Sequence, residues 1–549
     1  MKWSHVASAR DILTREQGAI VKDWGGKLPI ALVYPNTYHV GMSSLGFHAV
    51  YRLFNGYADL VCERAFWQSG FDADDPVLSI ESQRGIADFR VIAFSVSYEM
   101  DYPHLVGVLR QAGVPIRAGE RDEDWPVVIA GGAAVSANPL PVADFCDAIV
   151  VGEAEEVIGP LAEALRACVR EPRDALWRAL ARVPGVYVPH LSPGPPQTVQ
   201  RQWVRVLDDY PTSTVIHTPD TEFGGIHLIE VSRGCGRGCR FCMAGYTTRP
   251  KREHSVDSIL EQARRGLAWC DGIGLVGAAV SDYTQIDVLA DRLRRMDARL
   301  TVSSLRVDPL SEPLLRALAE SGARTLTMAP EAGSERLRQI VNKGITEADL
   351  LHAAERAAHY RFQQLRLYFM LGLPTETDED ADAIADLCEA AASRFRGRLT
   401  ANVTPFVPKA HTPFQWMEMA PRQALQARLR RLERRLGRAG IRVKSESPRW
   451  TAVQGVLARG DRRLGDVLAS LRDTSLGAWQ RAMDAHGLDA ETYLRSRALD
   501  EPLPWSFIQG GPSAAFLRRE WERAQRGAPT VPCPPRGCSQ CAVCSDDDR

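Results

Sequence analysis

No apolar run in this sequence approaches the ~20 residues needed to cross a bilayer, so no helical membrane span and no membrane partner are expected. No apolar stretch follows Met1, Lys2, Trp3, Ser4 and His5, so no signal peptide is expected and a cytoplasmic protein is inferred. Charge imbalance is missing too. The formal net charge is −1, which removes any global pull toward nucleic acid or acidic lipid. Internal repeats and long low-complexity tracts are also absent. What is present is ordinary for a globular chain: 45% hydrophobic and 25% charged residues in a length of 549, enough for roughly three or four domains.

The 12 cysteines are unevenly placed. Cys62, Cys146, Cys168, Cys270 and Cys388 stand alone and read as small buried hydrophobes. The other seven fall in two tight clusters, and clustered cysteines in a reducing compartment indicate metal binding or catalysis rather than disulfides.

An N-terminal arm, 1–28, precedes a region, 29–200, in which apolar strand candidates alternate with helical patterns. Pro29 to Tyr34, Val91 to Ser95, Val127 to Ala130 and Ala148 to Gly152 are the strands, and Leu45, Val50, Leu53 and Phe54 mark a helix. This pattern predicts an α/β fold with a doubly wound parallel sheet, whose ligands bind beyond the carboxyl ends of the strands. A Pro- and Thr-rich linker covers 201–225. A second alternating series fills 226–415, with strand candidates at 226–231, 273–276, 300–304, 325–328, 365–371 and 400–404. Six such units predict a partial (β/α)6 TIM-type barrel. Thr377 to Asp380 opens a helix with a capping-box pattern. The region 416–530 is helical, with Leu425, Leu429, Leu432 and Leu436 in a stripe flanked by arginines, and 531–549 is a Cys-rich tail.

The first cluster is Cys235, Cys239 and Cys242, directly after a strand candidate. Three soft thiolates spaced by glycines can wrap one face of a metal cluster. Zinc would want a fourth ligand nearby, and the next one downstream is His254. Three cysteines therefore suggest a four-iron, four-sulfide (4Fe-4S) cluster with one iron left open.

This Cys-x3-Cys-x2-Cys spacing after the first strand of a barrel resembles the radical S-adenosylmethionine (SAM) superfamily, with Phe241 matching the aromatic residue usual there. The resemblance implies that SAM chelates the open iron and is cleaved reductively to methionine and a 5′-deoxyadenosyl radical, with an electron donor such as flavodoxin or ferredoxin as partner. It also implies SAM-binding positions at strand ends: Gly274 and Gly277, Ser304 and Arg306, and Glu331 on the loop from Met328 to Ser334. Gly372 to Thr377 resembles the family's fifth-strand loop.

Region 29–200 resembles the cobalamin-binding domain that precedes the radical core in one subgroup. Asn36, Tyr38 and Gly41 lie where the Asp-x-His-x-x-Gly motif of other cobalamin domains would supply a histidine to cobalt. Asn36 and Tyr38 replace the Asp and His, and His39 is offset by one residue, so a cobalamin here would lack a His ligand. Ser95, Ser97, Gly131 and Gly132 sit where such domains pack the nucleotide tail. Longer stretches, from Val33 to Met42 and from Thr404 to Lys409, resemble an uncharacterised bacterial family of cobalamin-domain radical SAM proteins over nearly the whole chain.

The second cluster, Cys533, Cys538, Cys541 and Cys544, has enough thiolates to close a zinc site or to hold an auxiliary iron–sulfur cluster. The expected function is radical cleavage of SAM, with cobalamin-dependent methyl transfer to an unactivated carbon. The alternatives are radical modification of RNA such as methylthio transfer, for which the arginines from Arg428 to Arg438 could meet phosphates, and a non-catalytic cobalamin or redox sensor. Lys409 and His411 are candidates for proton or radical handling near the sixth strand.

Overall fold

The computed structural model describes residues 3–68, 76–191, 197–534 and 537–544. After an N-terminal helix, Trp3–Thr14, the chain builds a six-stranded sheet from β1 Leu28–Tyr34, β2 Leu60–Phe66, β3 Val91–Ser95, β4 Val127–Gly131, β5 Ala148–Val150 and β6 Val186–Tyr187. Its order is β2-β1-β3-β4-β5-β6. All pairs are parallel except β5 with β6. This is the doubly wound order whose chain reversal lies between β1 and β3. One face packs on helices Leu45–Asn55 and Glu155–Cys168. The other is covered by helix Tyr102–Gln111 and, unexpectedly, by helices Pro448–Arg459, Leu464–Ser470 and Leu476–Ala485 from late in the chain.

β2 has no counterpart among the sequence-predicted strands, because Glu63 and Arg64 interrupt its apolar pattern. Both are buried. Arg64 pairs with Glu16 and Glu81 at 2.7 Å each, and Glu63 accepts from the Trp24 indole at 2.6 Å. Arg64 survives burial because two carboxylates match it, and Glu63 because the Trp24 indole and the Ser82 hydroxyl donate to it.

β7 Val199–Gln200 pairs with a short strand near residue 508, and the second sheet then begins. β8 Ile226–Glu230 leads into β9 Ser232–Arg233, which pairs antiparallel with β10 Arg252–Glu253. β11 Gly272–Val276, β12 Arg299–Val302, β13 Thr325–Glu331, β14 Gln364–Leu371, β15 Arg398–Pro405 and β16 Arg442–Ser445 follow. They run parallel in the orders β12-β11-β8 and β13-β14-β15-β16. A single bridge, Leu305 with Met328, joins the two groups into an open arc. All six sequence-predicted strands are present, and β16 adds a seventh from the stretch expected to be helical. The 201–225 segment is more than a tether. Thr214 N–H donates to Leu228 O and Glu230 N–H to Thr212 O, which covers the β8 edge of the arc. The capping box forms between Thr377 and Asp380. Among the described residues, no helix is long and apolar enough to cross a membrane.

Candidate active site: a cysteine loop and the cavity beside it

β9 and β10 pinch the base of a loop that carries Cys235, Cys239 and Cys242. Gly234 closes that base with φ +80°. A Cβ there would lie 2.4 Å from Thr248 O and 2.6 Å from Pro250 O, so no larger residue fits. The Tyr246 hydroxyl holds Gly238 O at 3.1 Å, and Cys242 N–H donates to Cys239 O at 3.1 Å. The three thiols are mutually coupled. Burial, then the charge of Cys239, pushes the Cys242 thiol up to about 12, and burial raises Cys235 as well. Soft thiols in an apolar pocket are poor acids until a metal binds them as thiolates. Among the described residues, no three His, Cys, Asp or Glu side chains stand in a ready-made metal cage, so the fit of a cluster rests on donor type and on membership of one braced loop.

An ion network borders this loop. Arg237 grips Asp282 through two bonds of 2.8 and 2.7 Å. Arg306 reaches the same carboxylate at 3.9 Å and donates to Lys343 O at 3.0 Å. The buried Lys343 ammonium meets Glu331 Oε1 at 2.9 Å, at the end of β13. Glu331 sits at φ +71°, a strained backbone that points to a position held for function. Burial works against the Lys343 charge, but Glu331 and Cys239 outweigh it and hold its pKa above the usual range. Phe241 packs with Ala332, Leu373 and Phe406. Gly277 brings the end of β11 against the loop, since a Cβ would lie 2.8 Å from Ser232 Oγ. Gly274 lies inside β11, where a Cβ would strike Leu228 at 2.6 Å, so there it serves strand packing. Ser304 follows β12 and is exposed.

Sequence reasoning missed the clamp on this loop. Arg240 is fully buried between two cluster cysteines. It donates to Ile340 O at 2.8 Å, Ala528 O at 2.6 Å and Thr530 Oγ1 at 3.0 Å, and pairs with Glu520 at 3.3 Å. Asn342 donates to Gly238 O at 3.2 Å and accepts from Thr530 N–H at 2.9 Å. The helix Ala514–Gln525 and the strand-like segment after it therefore hold the loop from behind. An arginine between cysteines carries no signal of partners so distant in sequence.

On the other side lies a cavity of about 390 Å³ at the carboxyl edge of the first sheet. Ser95, Ser97, Gly131 and Gly132 line it, facing Arg233 and Thr248 of the second unit, and no histidine is among its lining residues. Gly132 has φ +111°, and a Cβ would lie 2.5 Å from Val96 O. Arg233 bridges the two units through Glu153, Glu155 and Glu230, each at 2.8 Å. Asn36, Tyr38 and Gly41 are placed outside the lining. Asn36 donates to Asp101 at 2.7 Å, and Tyr38 donates to Glu16 at 2.6 Å. Gly41 lets its turn approach Phe66, which a Cβ would meet at 2.5 Å. His39 is exposed, 3.7 Å from Glu222. Lys409 pairs with Glu99 at 2.7 Å, and the half-buried His411 bonds Ala137 O at 3.0 Å, so both join the units together.

An uncharacterized protein of Methanocaldococcus jannaschii is 31% identical over 449 residues, covering 80% of this chain and 90% of that protein. The family models for radical SAM proteins, N-terminal, and for the radical SAM superfamily match residues 46–189 and 229–388. The chain belongs to the radical SAM superfamily. It is thus a radical SAM enzyme, a class that works with a 4Fe-4S cluster and SAM. Two further relatives match over shorter stretches. An uncharacterized methyltransferase of Pyrococcus horikoshii is 26% identical, covering 47% of this chain and 56% of that protein. A tRNA-2-methylthio-N(6)-dimethylallyladenosine synthase of Syntrophomonas wolfei is 26% identical, covering 42% and 54%. The chain spans just over half the length of these two. Among solved structures, the radical SAM methyltransferase TsrM from Kitasatospora setae aligns with a TM-score of 0.49 and 14% identity, over 72% of this chain and 80% of that one.

Proposed function

We propose that this radical SAM enzyme transfers a methyl group to an unactivated carbon with cobalamin as the carrier. The observation that carries the reading is the cavity at the carboxyl edge of the first sheet. It is largely apolar, glycine-edged and closed on its far side by Arg233 and Thr248, the two ends of the cysteine-loop unit. A planar cofactor seated there would face the cluster loop. When bound, the cluster supplies the electron that cleaves SAM, and cobalamin carries the methyl group. Cys235, Cys239 and Cys242 would hold the cluster. Lys343 would hold Glu331 oriented toward the SAM ribose or amino group, with Arg237 and Arg306 fixing the adjoining strand ends through Asp282. Ser95, Ser97 and the bare backbone at Gly131 and Gly132 would pack the cobalamin nucleotide tail. No histidine is among the lining residues, so serine, glycine and apolar side chains rather than an imidazole would hold the cofactor. The match to a methyltransferase of Pyrococcus horikoshii supports the transfer of a methyl group.

The relatives that act on tRNA favour RNA as a second substrate class. The basic helix gives that reading no support. Arg428 pairs with Glu376 at 2.9 Å, Arg431 with Asp382 at 2.6 Å and Arg435 with Glu389 at 2.7 Å, so these charges are met within the chain.

The test is anaerobic reconstitution with iron, sulfide and hydroxocobalamin, then SAM and dithionite. Stoichiometric retention of cobalamin absorbance through gel filtration, with 5′-deoxyadenosine formed, is the expected result. Formation of 5′-deoxyadenosine without retained cobalamin would remove the methyl carrier. A fully loaded cluster that leaves SAM intact would favour a sensor.

A further inference from the structure

The second cysteine cluster lies directly against the first. Cys533 N–H donates to Gly236 O at 2.7 Å, and a Cβ on Gly236 would meet Cys533 Cβ at 3.3 Å. Gly236 immediately follows Cys235. One ligand of the tail therefore touches the residue next to one ligand of the loop.

Cys533, Cys538, Cys541 and Cys544 line one cavity of about 370 Å³, together with Arg249 and Lys251. The tail is held in place. Ser513 N–H donates to Cys541 O and Arg519 to Gln540 O, each at 2.9 Å, and Cys541 is buried. Arg249 is buried in the wall of this cavity, where it donates to Gly245 O. The contact between Cys533 and Gly236 sets these four thiols beside the loop of the first cluster, where a redox-active iron–sulfur centre can pass an electron and a redox-inert zinc ion cannot.

We propose that Cys533, Cys538, Cys541 and Cys544 bind a second 4Fe-4S cluster that passes electrons to the first. The proposal rests on the assignment of the first cluster to Cys235, Cys239 and Cys242. The second cluster has all four irons ligated, so it offers no open site to SAM and acts as a relay. A low-potential flavoprotein or iron–sulfur protein gives it one electron. That electron moves to the first cluster, and the second returns to its oxidised state. No bond forms or breaks in this step. The electron is spent when a carbon–sulfur bond of SAM is cleaved at the first cluster. The hydrogen bond from Cys533 N–H to Gly236 O provides a direct covalent and hydrogen-bonded route between the two loops.

The full-length chain, reconstituted without oxygen, is expected to bind about eight irons, and the Cys235→Ala, Cys239→Ala, Cys242→Ala triple variant about four, with an EPR signal on reduction. Circular dichroism establishes that this variant is folded. The Cys538→Ser, Cys541→Ser variant should also hold about four irons, and its SAM cleavage driven by reduced flavodoxin should fall about tenfold or more, the loss expected when electron supply limits the rate. One zinc per chain beside four irons, a folded triple variant without iron, or an unchanged flavodoxin-driven rate in the double variant would each overturn the proposal. A chain that holds eight irons but fails to retain cobalamin refutes the methyl-carrier reading alone.

Discussion

The two sheets differ in how their strands are buried. β1 and β2 of the first sheet are buried at nearly every position, whereas β13 and β14 of the second alternate between buried and partly open. A sheet covered on both faces has only its strand ends to offer a ligand, and at the central strands β3 and β4 those ends are Ser95 and Gly131. A sheet curled into an arc has an inner face, and alternate side chains project toward it. The first unit can therefore cradle a cofactor with backbone, while the second can act with charged side chains and thiols.

The comparison is broken most sharply by Cys239→Ala. SAM cleavage should become undetectable by 5′-deoxyadenosine assay, while cobalamin absorbance is retained. Residual cleavage would mean that the second sheet is not where the electron is delivered.

A smaller effect is expected at the clamp. Arg240→Leu leaves the buried Glu520 with only the half-exposed Arg523 at 3.6 Å as a cation, and removing one partner of a buried pair costs up to about 3–5 kcal/mol. Chemical denaturation should show this loss, together with lower iron retention. At the cofactor edge, Ala93→Trp fills the cavity that Ala93 lines and should weaken cobalamin retention about tenfold or more, a cost of about 1.4 kcal/mol or more. Equilibrium dialysis measures it. An unchanged affinity would place the cofactor elsewhere.

Lys343→Met should raise the KM for SAM about tenfold with iron content unchanged, because Glu331 loses the cation that orients it. Equal KM values would assign the Lys343–Glu331 pair to structure.

The mildest prediction concerns acid. Burial lowers His48 and His227 to about 4. His48 Nδ1 accepts from Val215 N–H at 3.1 Å, so its ring is neutral and links the first sheet's helix to the segment that covers β8. The unfolded chain takes up these protons near pH 6.5 and the folded chain only near 4. Stability is thus whole above 6.5 and declines as pH falls toward 4, by up to about 1.4 kcal/mol per pH unit for each histidine. Melting curves between pH 7 and 5 should show the decline, and His48→Gln should flatten it.

Much of this arrangement was legible in the sequence because its signals are local. Cys235, Cys239 and Cys242 sit within eight positions, and the apolar runs around Ile30, Ile92 and Ile129 are continuous. What escaped was set by partners far along the chain. Glu63 and Arg64 hid β2, since Arg64 is balanced by Glu16 and Glu81 and Glu63 accepts from Trp24 and Ser82. β16 is a short polar edge strand without an apolar run. Arg237, Arg240, Asp282 and Lys343 look like surface charges until folding gathers them around the loop. Asn36 and Tyr38 occupy motif positions but are engaged by Asp101 and Glu16.

The hydrogen bond from Arg240 to Thr530 spans 290 positions. A ribosome therefore delivers the three cysteines long before the segment that closes over them. Synthesis thus permits filling before sealing, and a chain sealed while empty would have to release the helix Ala514–Gln525 to be loaded.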